Sequence, residues 1–382
     1  MSERASILRE TGDLARLRAL PEAERRALVY AEDSFSYIQF EGYLQALWEK
    51  HALRVLYVSS AEDDPQLTTP PEWIRPFYID RQLPNLFKRF RGRMVAMTMP
   101  DLGQYHVGRP RRGRVVYVFH SLNSAHTAYR TGAFDHYDVF LCTGPHHMRE
   151  LRRLADMRGL KQPDLREVGY YKLDRIALAH ATYKVDRPGR TTVVVAPTWG
   201  PNNLLHQHGL EIVGALAAEG VHVIVRPHPQ FFHSLYPEGR AVMEGLVAEF
   251  GQRDNVEFEL SIDSEESFHK SSLMVTDWSG AAPEYALGTL RPVVFVDVPQ
   301  KIFNPGWEKA GLPSFEGSIR QQIGVVVDPL DASAVADECV RLIGIAAEES
   351  QRLEALRSEV VYNFGSASAA GARVMAEVME GD

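Results

Sequence analysis

Short apolar runs alternate with helical stretches in two series along the chain, and this alternation constrains the fold more than any other feature. The runs of the first series occupy residues 54–60, 94–98, 115–119 and 137–142. Those of the second series occupy residues 191–198, 221–227, 255–260, 273–277, 292–297 and 323–327. Such runs, rich in β-branched and aromatic residues and separated by helices, are typical of buried parallel strands in βαβ units. The pattern predicts an α/β protein with two doubly wound, Rossmann-like lobes that face a cleft.

Helical patterns fill the intervals between these strands and extend beyond them. Candidate helices cover residues 37–50, 145–157, 204–220, 241–251 and 281–288. Residues 1–30 have the pattern of a charged helical lead-in, and residues 330–380 that of two or three helices.

A polar stretch at 180–191, which contains Pro188 and Gly189, separates the two series of strands. A chain of 382 residues is long enough for two domains. We therefore expect an N-terminal lobe over residues 1–185 and a C-terminal lobe over residues 186–382, with the last helix able to return to the N-terminal lobe.

The charge balance argues against a nucleic-acid binder. The formal net charge is -8, whereas a dedicated nucleic-acid binder usually presents a strongly basic face. The N-terminal stretch is charged and lacks the apolar core of a secretory signal, and no run approaches the ~18 apolar residues of a membrane span. We expect a cytoplasmic protein that at most rests on the inner face of the cell membrane.

The two cysteines, Cys142 and Cys339, lie far apart in apolar stretches and are expected to be buried thiols in a reducing compartment. No cysteine spacing is typical of metal ligands, and we expect a site without a metal.

Polar residues gather where predicted strands end, which is the edge at which open α/β sheets bind ligands. His120 directly follows the strand at 115–119 and is placed to act as a general base, since its ordinary pKa is near neutrality. A polar, flexible loop with Asn123 and His126 is expected after it. The alternative is a histidine that only supports its loop.

Two further clusters follow strands of the second series. In the segment 196–203, Thr198 and Trp199 form a turn before a helix, whose first N–H groups would favour an anion. In the segment 226–230, Arg226 and His228 are bracketed by prolines that restrict the backbone, and arginine offers a fork of donors to phosphate oxygens.

The segment 275–285 carries the fourth cluster. Asp277 ends a strand, Ser279 and Gly280 lead into a helix, and Glu284 lies in its first turns. The hydroxyl, the glycine N–H and the helix dipole would favour phosphate, although no Walker A motif is present. The alternative, compatible with the first, is a helix capped by Asp277 or Ser279.

Two basic clusters stand out on this acidic chain, at residues 86–93 and 109–114. They could hold an anionic acceptor polymer or the anionic leaflet of a membrane, and the alternative is a pair of solvated faces.

Taken together, the four clusters resemble the CDP-glycerol glycerophosphotransferase family, which contains teichoic-acid and capsule polymerases. Members carry H-G-T, A-P-T-[WY], R-x-H-P and T-D-Y-S-S segments, which stand here in the same order as FHSLN, APTW, RPHP and TDWSG. GYYKLDR at 169–175 matches the family's G-x-x-[RK]-x-D element, and the resemblance spans residues 115–330.

The resemblance implies a GT-B fold, with an acceptor-side N-terminal lobe and a C-terminal lobe that binds the nucleotide donor. It implies transfer of a polyol phosphate from a CDP-linked donor to a hydroxyl of a glycan or polymer, with release of CMP and without a metal or other cofactor. This sequence departs from the family in HSLNSAH, which replaces H-G-T-P-L-K, and at Gly280, where the second serine would stand.

The resemblance also implies roles for individual residues. His120 would be the general base, while His228 and Arg226 would stabilise the donor pyrophosphate and the leaving group. The donor phosphates would contact Asp277, Ser279 and Gly280. The substrate-binding set is completed by Thr198, Trp199, Asn123 and Glu284, the last for the ribose.

Two other functions fit the same sequence. A GT-B glycosyltransferase that uses a nucleotide sugar shares the lobes and the strand-end loops, and a non-catalytic nucleotide-binding protein is compatible with the altered HSLNSAH loop. A nucleotide-sugar epimerase is less favoured, since no pair of carboxylates for proton abstraction can be identified.

Overall fold

The computed structural model describes residues 3–105, 107–184, 191–232, 236–260 and 265–381. In these ranges the strands form two sheets, of seven and six strands, and every neighbouring pair is parallel. The first sheet contains β1 (Ala27–Ala31), β2 (Val55–Ser59), β3 (Ile74–Tyr78), β4 (Met94–Met97), β5 (Arg114–Val118), β6 (Val139–Cys142) and β7 (Asp164–Glu167). The second contains β8 (Thr192–Val195), β9 (His222–Val225), β10 (Val256–Phe258), β11 (Leu273–Thr276), β12 (Val293–Val296) and β13 (Gly324–Val327).

Helices connect the strands. Those before β8 are α1 (Glu3–Ala19), α2 (Glu41–His51), α3 (Leu83–Arg89), α4 (Ala125–Ala128), α5 (Pro145–Met157) and α6 (Tyr171–Thr182). Those after it are α7 (Leu204–Ala218), α8 (Gly239–Phe250), α9 (Glu266–Lys270), α10 (Ala281–Thr289), α11 (Phe315–Ile323), α12 (Ala332–Gly344), α13 (Ala346–Val360) and α14 (Ala367–Glu380). The predicted α/β class with two parallel sheets is confirmed.

The order of the strands determines where each sheet can bind a ligand. The first sheet has the order β3-β2-β1-β4-β5-β6-β7 and the second the order β10-β9-β8-β11-β12-β13. The chain therefore reverses direction across the sheet between β1 and β4, and again between β8 and β11. In doubly wound folds the crevice for a ligand opens at such a switch point, beyond the carboxyl ends of the strands.

The chain divides into two compact units that differ from the predicted lobes. The first unit comprises Met1–Lys172, Phe303–Leu312 and Val360–Asp382, and the second comprises Leu173–Ile302 and Pro313–Glu359. The first unit thus contains α14, which packs on α2.

The predicted boundary between residues 185 and 186 lies too late in the chain, because α6 belongs mostly to the second unit. Leu173 and Ile176 of this helix pack against Gly288 of α10. Arg175 forms an ion pair with Glu265 at 2.8 Å. Half of the predicted linker at 180–191, namely residues 185–190, lies outside the described residues.

Three strands of the first sheet, β1, β3 and β7, have no counterpart among the predicted strands. Strand β1 overlaps the end of the segment 1–30, for which the sequence predicted a helical lead-in, so that prediction is wrong for the last residues of the segment. Strand β3 contains Pro76, which argues against a strand but is tolerated here because β3 lies at the edge of the sheet. Strand β7, with the sequence DLRE, is the other edge and is only partly buried.

Each unit has its own hydrophobic core around its sheet. In the first unit the strands are buried on both faces: Val29 of β1 points into one cluster and Leu28 into another. The second unit has a separate cluster around β8, β9, β11 and β12. Both cysteines are buried and unpaired. Among the described residues, no helix combines the length and the apolar character needed to cross a membrane.

Candidate functional site

Asp277 lies at the switch point of the second sheet, immediately after β11. Its side chain is fully buried, and its two oxygens accept the backbone N–H groups of Thr198 at 2.7 Å and Leu204 at 2.9 Å. Burial raises the pKa of Asp277 to about 6, although these N–H donors and the charge of Arg320 oppose the rise. Asp277 therefore holds the turn after β8 and the start of α7 in place, and this role differs from the predicted contact with donor phosphates.

The backbone N–H groups at the start of α7 find their hydrogen-bond acceptors within the protein. The side chain of Asn203 accepts the N–H groups of Leu205 and His206, at 2.9 and 3.1 Å, while Leu204 donates to Asp277. The N–H groups of this helix start were predicted to favour an anion, but their acceptors are already supplied by the chain. A ligand at this edge must find its positive partners elsewhere.

Lys301, in the segment after β12, offers a positive charge at this edge of the sheet, although no motif in the sequence indicated it. Its Nζ lies 2.9 Å from the centre of the Trp199 ring and donates to the Trp199 carbonyl at 3.0 Å. Gly200 has a φ of 103°, and a Cβ there would lie 3.9 Å from Nζ. Burial lowers the pKa of Lys301 to about 7, with Asp277 acting in the opposite direction. An anion near Nζ would favour its charged form.

His228 lies on the loop after β9, with its ring centre 6.3 Å from that of Trp199. Its Nδ1 accepts the N–H of Gln230 at 3.2 Å, so the proton of the neutral ring is on Nε2. Burial, followed by the charges of Lys301 and Arg226, lowers the pKa of His228 to about 4. At neutral pH the ring is therefore a neutral hydrogen-bond donor through Nε2.

Arg226 is directed to a partner within the protein. Its Nε lies 3.3 Å from Oε2 of Glu259, and its guanidinium lies 4.7 Å from the centre of the Phe268 ring. Glu259 follows β10, which pairs with β9, so the two side chains meet at neighbouring strand ends. The charge of Arg226 is thus balanced by Glu259, and its contact with donor phosphate stays a prediction.

The start of α10 carries three of the residues that the sequence assigned to donor binding. The hydroxyl of Ser279 accepts the N–H of Ala281 at 3.3 Å, and Gly280 is the residue that precedes the helix. Glu284 is 5% exposed. The N-cap residue of α10 is Gly280 and not Asp277 or Ser279, so the alternative interpretation of a cap by either side chain is wrong, while contact of Ser279, Gly280 and Glu284 with a donor stays a prediction.

Arg320 of α11 is a second residue that the sequence did not indicate. Its guanidinium stacks on the Trp278 ring at 3.9 Å, and Nη1 lies 3.1 Å from Asp297. Its Nε and Nη2 are buried and have no hydrogen-bond partner in the part of the chain that the structure describes. Burial lowers the pKa of Arg320. The side chain adds positive charge beside Asp277 and Ser279, with which it lines a small pocket.

His120 lies in the first unit, just past the carboxyl end of β5, and is half-exposed. Its backbone carbonyl accepts the hydroxyl of Tyr170 at 2.8 Å, and its Nε2 lies 3.4 Å from the hydroxyl of Tyr129. The His120 and Tyr129 rings meet edge to face. The imidazole is thus oriented by its surroundings while part of it stays accessible, as a general base requires.

The loop after His120 contacts buried groups of the first unit. His147 stacks on Phe119, and its Nε2 donates to the carbonyl of Asn123 at 2.9 Å. Burial lowers the pKa of His147 to about 4, so the ring is neutral. The Oδ1 of Asn123 has no hydrogen-bond partner among the described residues, which is compatible with its predicted contact with substrate.

His126 supports this loop from inside the first unit. It is 1% exposed, its Nε2 donates to the carbonyl of Leu312 at 3.2 Å, and its Nδ1 lies 3.3 Å from Glu150. Glu150 also accepts the N–H of Ala125, and Asn304 donates to the carbonyl of His126. The spacing in the sequence could not distinguish the role of His120 from that of His126. Burial assigns His126 a structural role.

The second unit brings Thr198, Trp199, His228 and Asp277 together with Lys301. Arg226 points to Glu259 instead. The other catalytic candidate, His120, belongs to the first unit with Asn123. Across the described ranges, no three His, Cys, Asp or Glu side chains lie close enough together to hold a metal ion.

No protein-family model matches the chain, and no curated protein matches it by sequence. Solved structures match it in fold. The wall teichoic acid polymerase TagF, in a histidine-to-asparagine variant soaked with CDPG, gives a TM-score of 0.59 at 12% identity over 100% of this chain and 99% of that chain. A UDP-GlcNAc 2-epimerase from Methanocaldococcus jannaschii, in complex with UDP-GlcNAc and UDP, gives 0.56 at 11% identity over 93% and 100%.

A UDP-forming α,α-trehalose-phosphate synthase from Burkholderia vietnamiensis is also similar, with a TM-score of 0.55 at 12% identity over 93% of this chain and 97% of that chain. At these identities the likeness establishes the fold and nothing finer. It confirms the predicted GT-B fold.

Proposed function

We propose that this chain is a GT-B group transferase that takes a nucleoside-diphosphate donor in its second unit. The observation that carries the proposal is the placement of Lys301 and His228 beside the same Trp199 ring, at the carboxyl ends of strands near a switch point. A lysine and a neutral N–H donor on one side of a turn suit the oxygens of a pyrophosphate. Arg320 adds a second positive group near Asp277.

The donor we favour is CDP-linked, and the group transferred is a polyol phosphate such as glycerol phosphate. The order of the FHSLN, APTW, RPHP and TDWSG segments supports this choice, as does the likeness to a polymerase that was soaked with CDPG. The acceptor would be a hydroxyl of a cell-surface glycan or polymer, and the enzyme would act at the inner face of the membrane. No metal or other cofactor takes part in the proposal.

In the proposed reaction the acceptor oxygen forms a bond to the β-phosphorus of the donor. The bond between that phosphorus and the bridging oxygen breaks, and CMP leaves with the electron pair. His120 takes the proton of the acceptor hydroxyl. Lys301 and the Nε2–H of His228 stabilise the negative charge that develops on the leaving phosphate.

The direct test is product analysis with purified protein, membrane or wall acceptors, and CDP-glycerol, CDP-ribitol or UDP-sugars as donors. We expect CMP release that falls by ~10²–10⁴-fold in His120→Ala, the usual contribution of a general base. His51→Ala, at an exposed histidine of the same unit, is the control and should keep full turnover.

The same experiment decides between the alternatives. Release of UDP from UDP-sugars would favour a nucleotide-sugar glycosyltransferase, which the likeness to the UDP-forming synthase supports. Donor binding without turnover for every acceptor would favour a non-catalytic nucleotide-binding protein. An intact His120→Ala protein with unchanged turnover would remove His120 from the mechanism.

A further inference from the structure

An arginine-lined pocket of about 260 Å³ lies in the first unit, between the end of α1, the turn at Glu22–Glu24, α3 and the connection from α3 to β4. It joins one of the basic clusters of the sequence, residues 86–93, to arginines that precede β1. Six arginines line it: Arg18, Arg25, Arg26, Arg89, Arg91 and Arg93. The proposed transferase chemistry uses none of them.

The positive charge of this pocket is only partly balanced. Arg26 and Arg93 donate to the carbonyls of Met379 and Gly381 at the end of α14, at 2.9 and 3.1 Å. These carbonyls carry the negative end of the helix dipole and engage two of the six side chains.

The other four arginines have no carboxylate partner within ion-pair distance in the described part of the chain: Arg18, Arg25, Arg89 and Arg91. The Nε of Arg25 is buried and has no hydrogen-bond partner among the described residues. Within the described residues, Arg91 donates to the backbone carbonyls of Lys88 and Phe90 and to no side chain. Glu22 is the one carboxylate of the lining. A buried donor and several uncompensated charges favour an anionic ligand.

The shape of the pocket is built by packing. Gly92 approaches the backbone carbonyl of Arg25 and the ring of Phe90 so closely that any side chain at this position would overlap both. Phe90 is 5% exposed, and Leu17 and Leu86 complete an apolar wall. The pocket thus offers arginine forks on one side and a contact surface for carbon atoms on the other.

The other basic cluster, residues 109–114, is different. Arg109 pairs with Asp138 at 2.6 Å, and Arg114 pairs with Asp164 at 2.9 Å. Its two ends are therefore neutralised by carboxylates of the same unit. By contrast, none of the six arginines of the pocket has a carboxylate within ion-pair distance among the described residues.

We propose that the arginine pocket is a second anion-binding site, which holds a phosphate group attached to a small carbon skeleton. Arginine matches phosphate oxygens with paired hydrogen bonds, and the volume suits a phosphate with a short polyol rather than a larger ligand. The phosphate belongs either to a soluble phosphorylated molecule or to the headgroup of an anionic lipid.

This site is separate from His120, the candidate general base in the same unit. Arg26 and Arg93 directly precede β1 and β4, so the pocket lies at the amino ends of strands, whereas His120 lies past the carboxyl end of β5 in the same sheet. The proposal therefore stands whether or not the chain is a polyol-phosphate transferase.

The test uses the full chain in a Lys301→Ala/His228→Ala background, so that the second unit does not contribute to anion binding. Two probes are used: glycerol 1-phosphate in calorimetry, and phosphatidylglycerol vesicles in sedimentation, with phosphatidylcholine vesicles for comparison. The pocket variant is Arg89→Glu/Arg91→Glu, at two exposed positions. The matched control is Lys50→Glu/Lys161→Glu, which makes the same charge change at exposed positions outside the pocket.

We expect the pocket variant to weaken binding about a hundredfold, since each lost charge-assisted hydrogen bond costs about tenfold, and the control to bind like the parent. Binding of glycerol 1-phosphate identifies a soluble ligand, and binding to phosphatidylglycerol vesicles alone identifies a lipid headgroup. Failure of both probes, or an equal loss in both double variants, overturns the proposal. If the pocket variant does not fold, Arg89→Gln and Arg91→Gln singly replace it.

Discussion

At the scale of single residues, the surroundings of Lys301 determine the pH at which its amine changes charge. Burial lowers the pKa of Lys301 to about 7. The two titratable groups near it have lower pKa values, about 6 for Asp277 and about 4 for His228. Between neutral and alkaline pH, Lys301 is therefore the group of this set that changes charge. Its protonated form is the one that would bind a donor phosphate.

The affinity for CDP-glycerol should therefore depend on pH above neutrality. Bound anion raises the pKa of Lys301, so the dissociation constant should be flat below pH 7 and rise by up to about tenfold per pH unit above it. Lys301→Arg keeps its charge throughout and should remove this dependence between pH 6 and 9. Calorimetric titrations of both proteins measure it, and an unchanged slope in Lys301→Arg would contradict the assignment.

The sequence indicated where the two candidate histidines lie, but it gave no indication of Lys301 or of the partner of Arg226. His120 and His228 lie at strand ends as the apolar runs predicted, because a run of buried residues shows directly where a strand stops. The pairing of Arg226 with Glu259 depends on β9 and β10 being neighbours, which the order of the sheet determines and a local motif does not. Lys301 follows β12 without any motif, so only the fold brings it to Trp199.

At the scale of elements, the packing of α14 on α2 depends on glycines. A side chain at Gly371 of α14 would overlap the ring of Tyr43, and one at Gly42 would overlap the ring of Tyr171. Tyr43 has little freedom to move, because its hydroxyl donates to the Gly169 carbonyl at 3.3 Å and accepts the Tyr171 N–H at 3.2 Å. The two helices therefore approach closely at fixed positions.

Gly371→Ala should destabilise the protein although alanine favours helices. The added methyl group must displace a buried ring that is held by two hydrogen bonds, and overpacking of this kind typically costs about 1–3 kcal/mol. Gly245→Ala in α8 is the control, since no atom lies within 4 Å of its added Cβ, and it should gain up to about 1 kcal/mol. Urea unfolding of both variants gives the comparison, and equal stabilities would refute the close approach.

The elements themselves were largely predictable where the strands are central and apolar. The apolar run at 273–277 matches β11, and the helical pattern at 145–157 matches α5 residue for residue. The edge strands β3 and β7 were not predicted, because an edge tolerates proline and polar residues that argue against a strand. The central β1 was missed because its five residues adjoin a long charged segment.

At the scale of the whole molecule, segments that are neighbours in the sequence near the C-terminus belong to different units. Helices α12 and α13 belong to the second unit, whereas α14 belongs to the first, although a short segment joins α13 to α14. Residues 303–312 likewise leave the second unit and return to it. The return of the last helix to the first unit was expected from the fold class, whereas no local pattern predicts the path of residues 303–312, because it depends on contacts that only the fold creates.

A buried charge in α14 should therefore weaken elements that are distant in sequence more than elements that are close to it. Met375 is fully buried in the cluster that contains Val29 and Tyr57, so Met375→Asp places a carboxylate in the core of the first unit. Hydrogen exchange should show lost amide protection in β1, β2 and α2 and retained protection in α12 and in β11.

Arg373→Asp introduces the same residue on the exposed side of α14 and should leave the exchange pattern of both units unchanged. The two variants differ only in the face of the helix that receives the carboxylate, so a difference between them reports the packing of α14. Because the cores of the two units are separate clusters, the loss in Met375→Asp should stop at the boundary between units. Loss of protection in α12 and α13 ahead of β1 would show that stability follows the sequence and not the division into units.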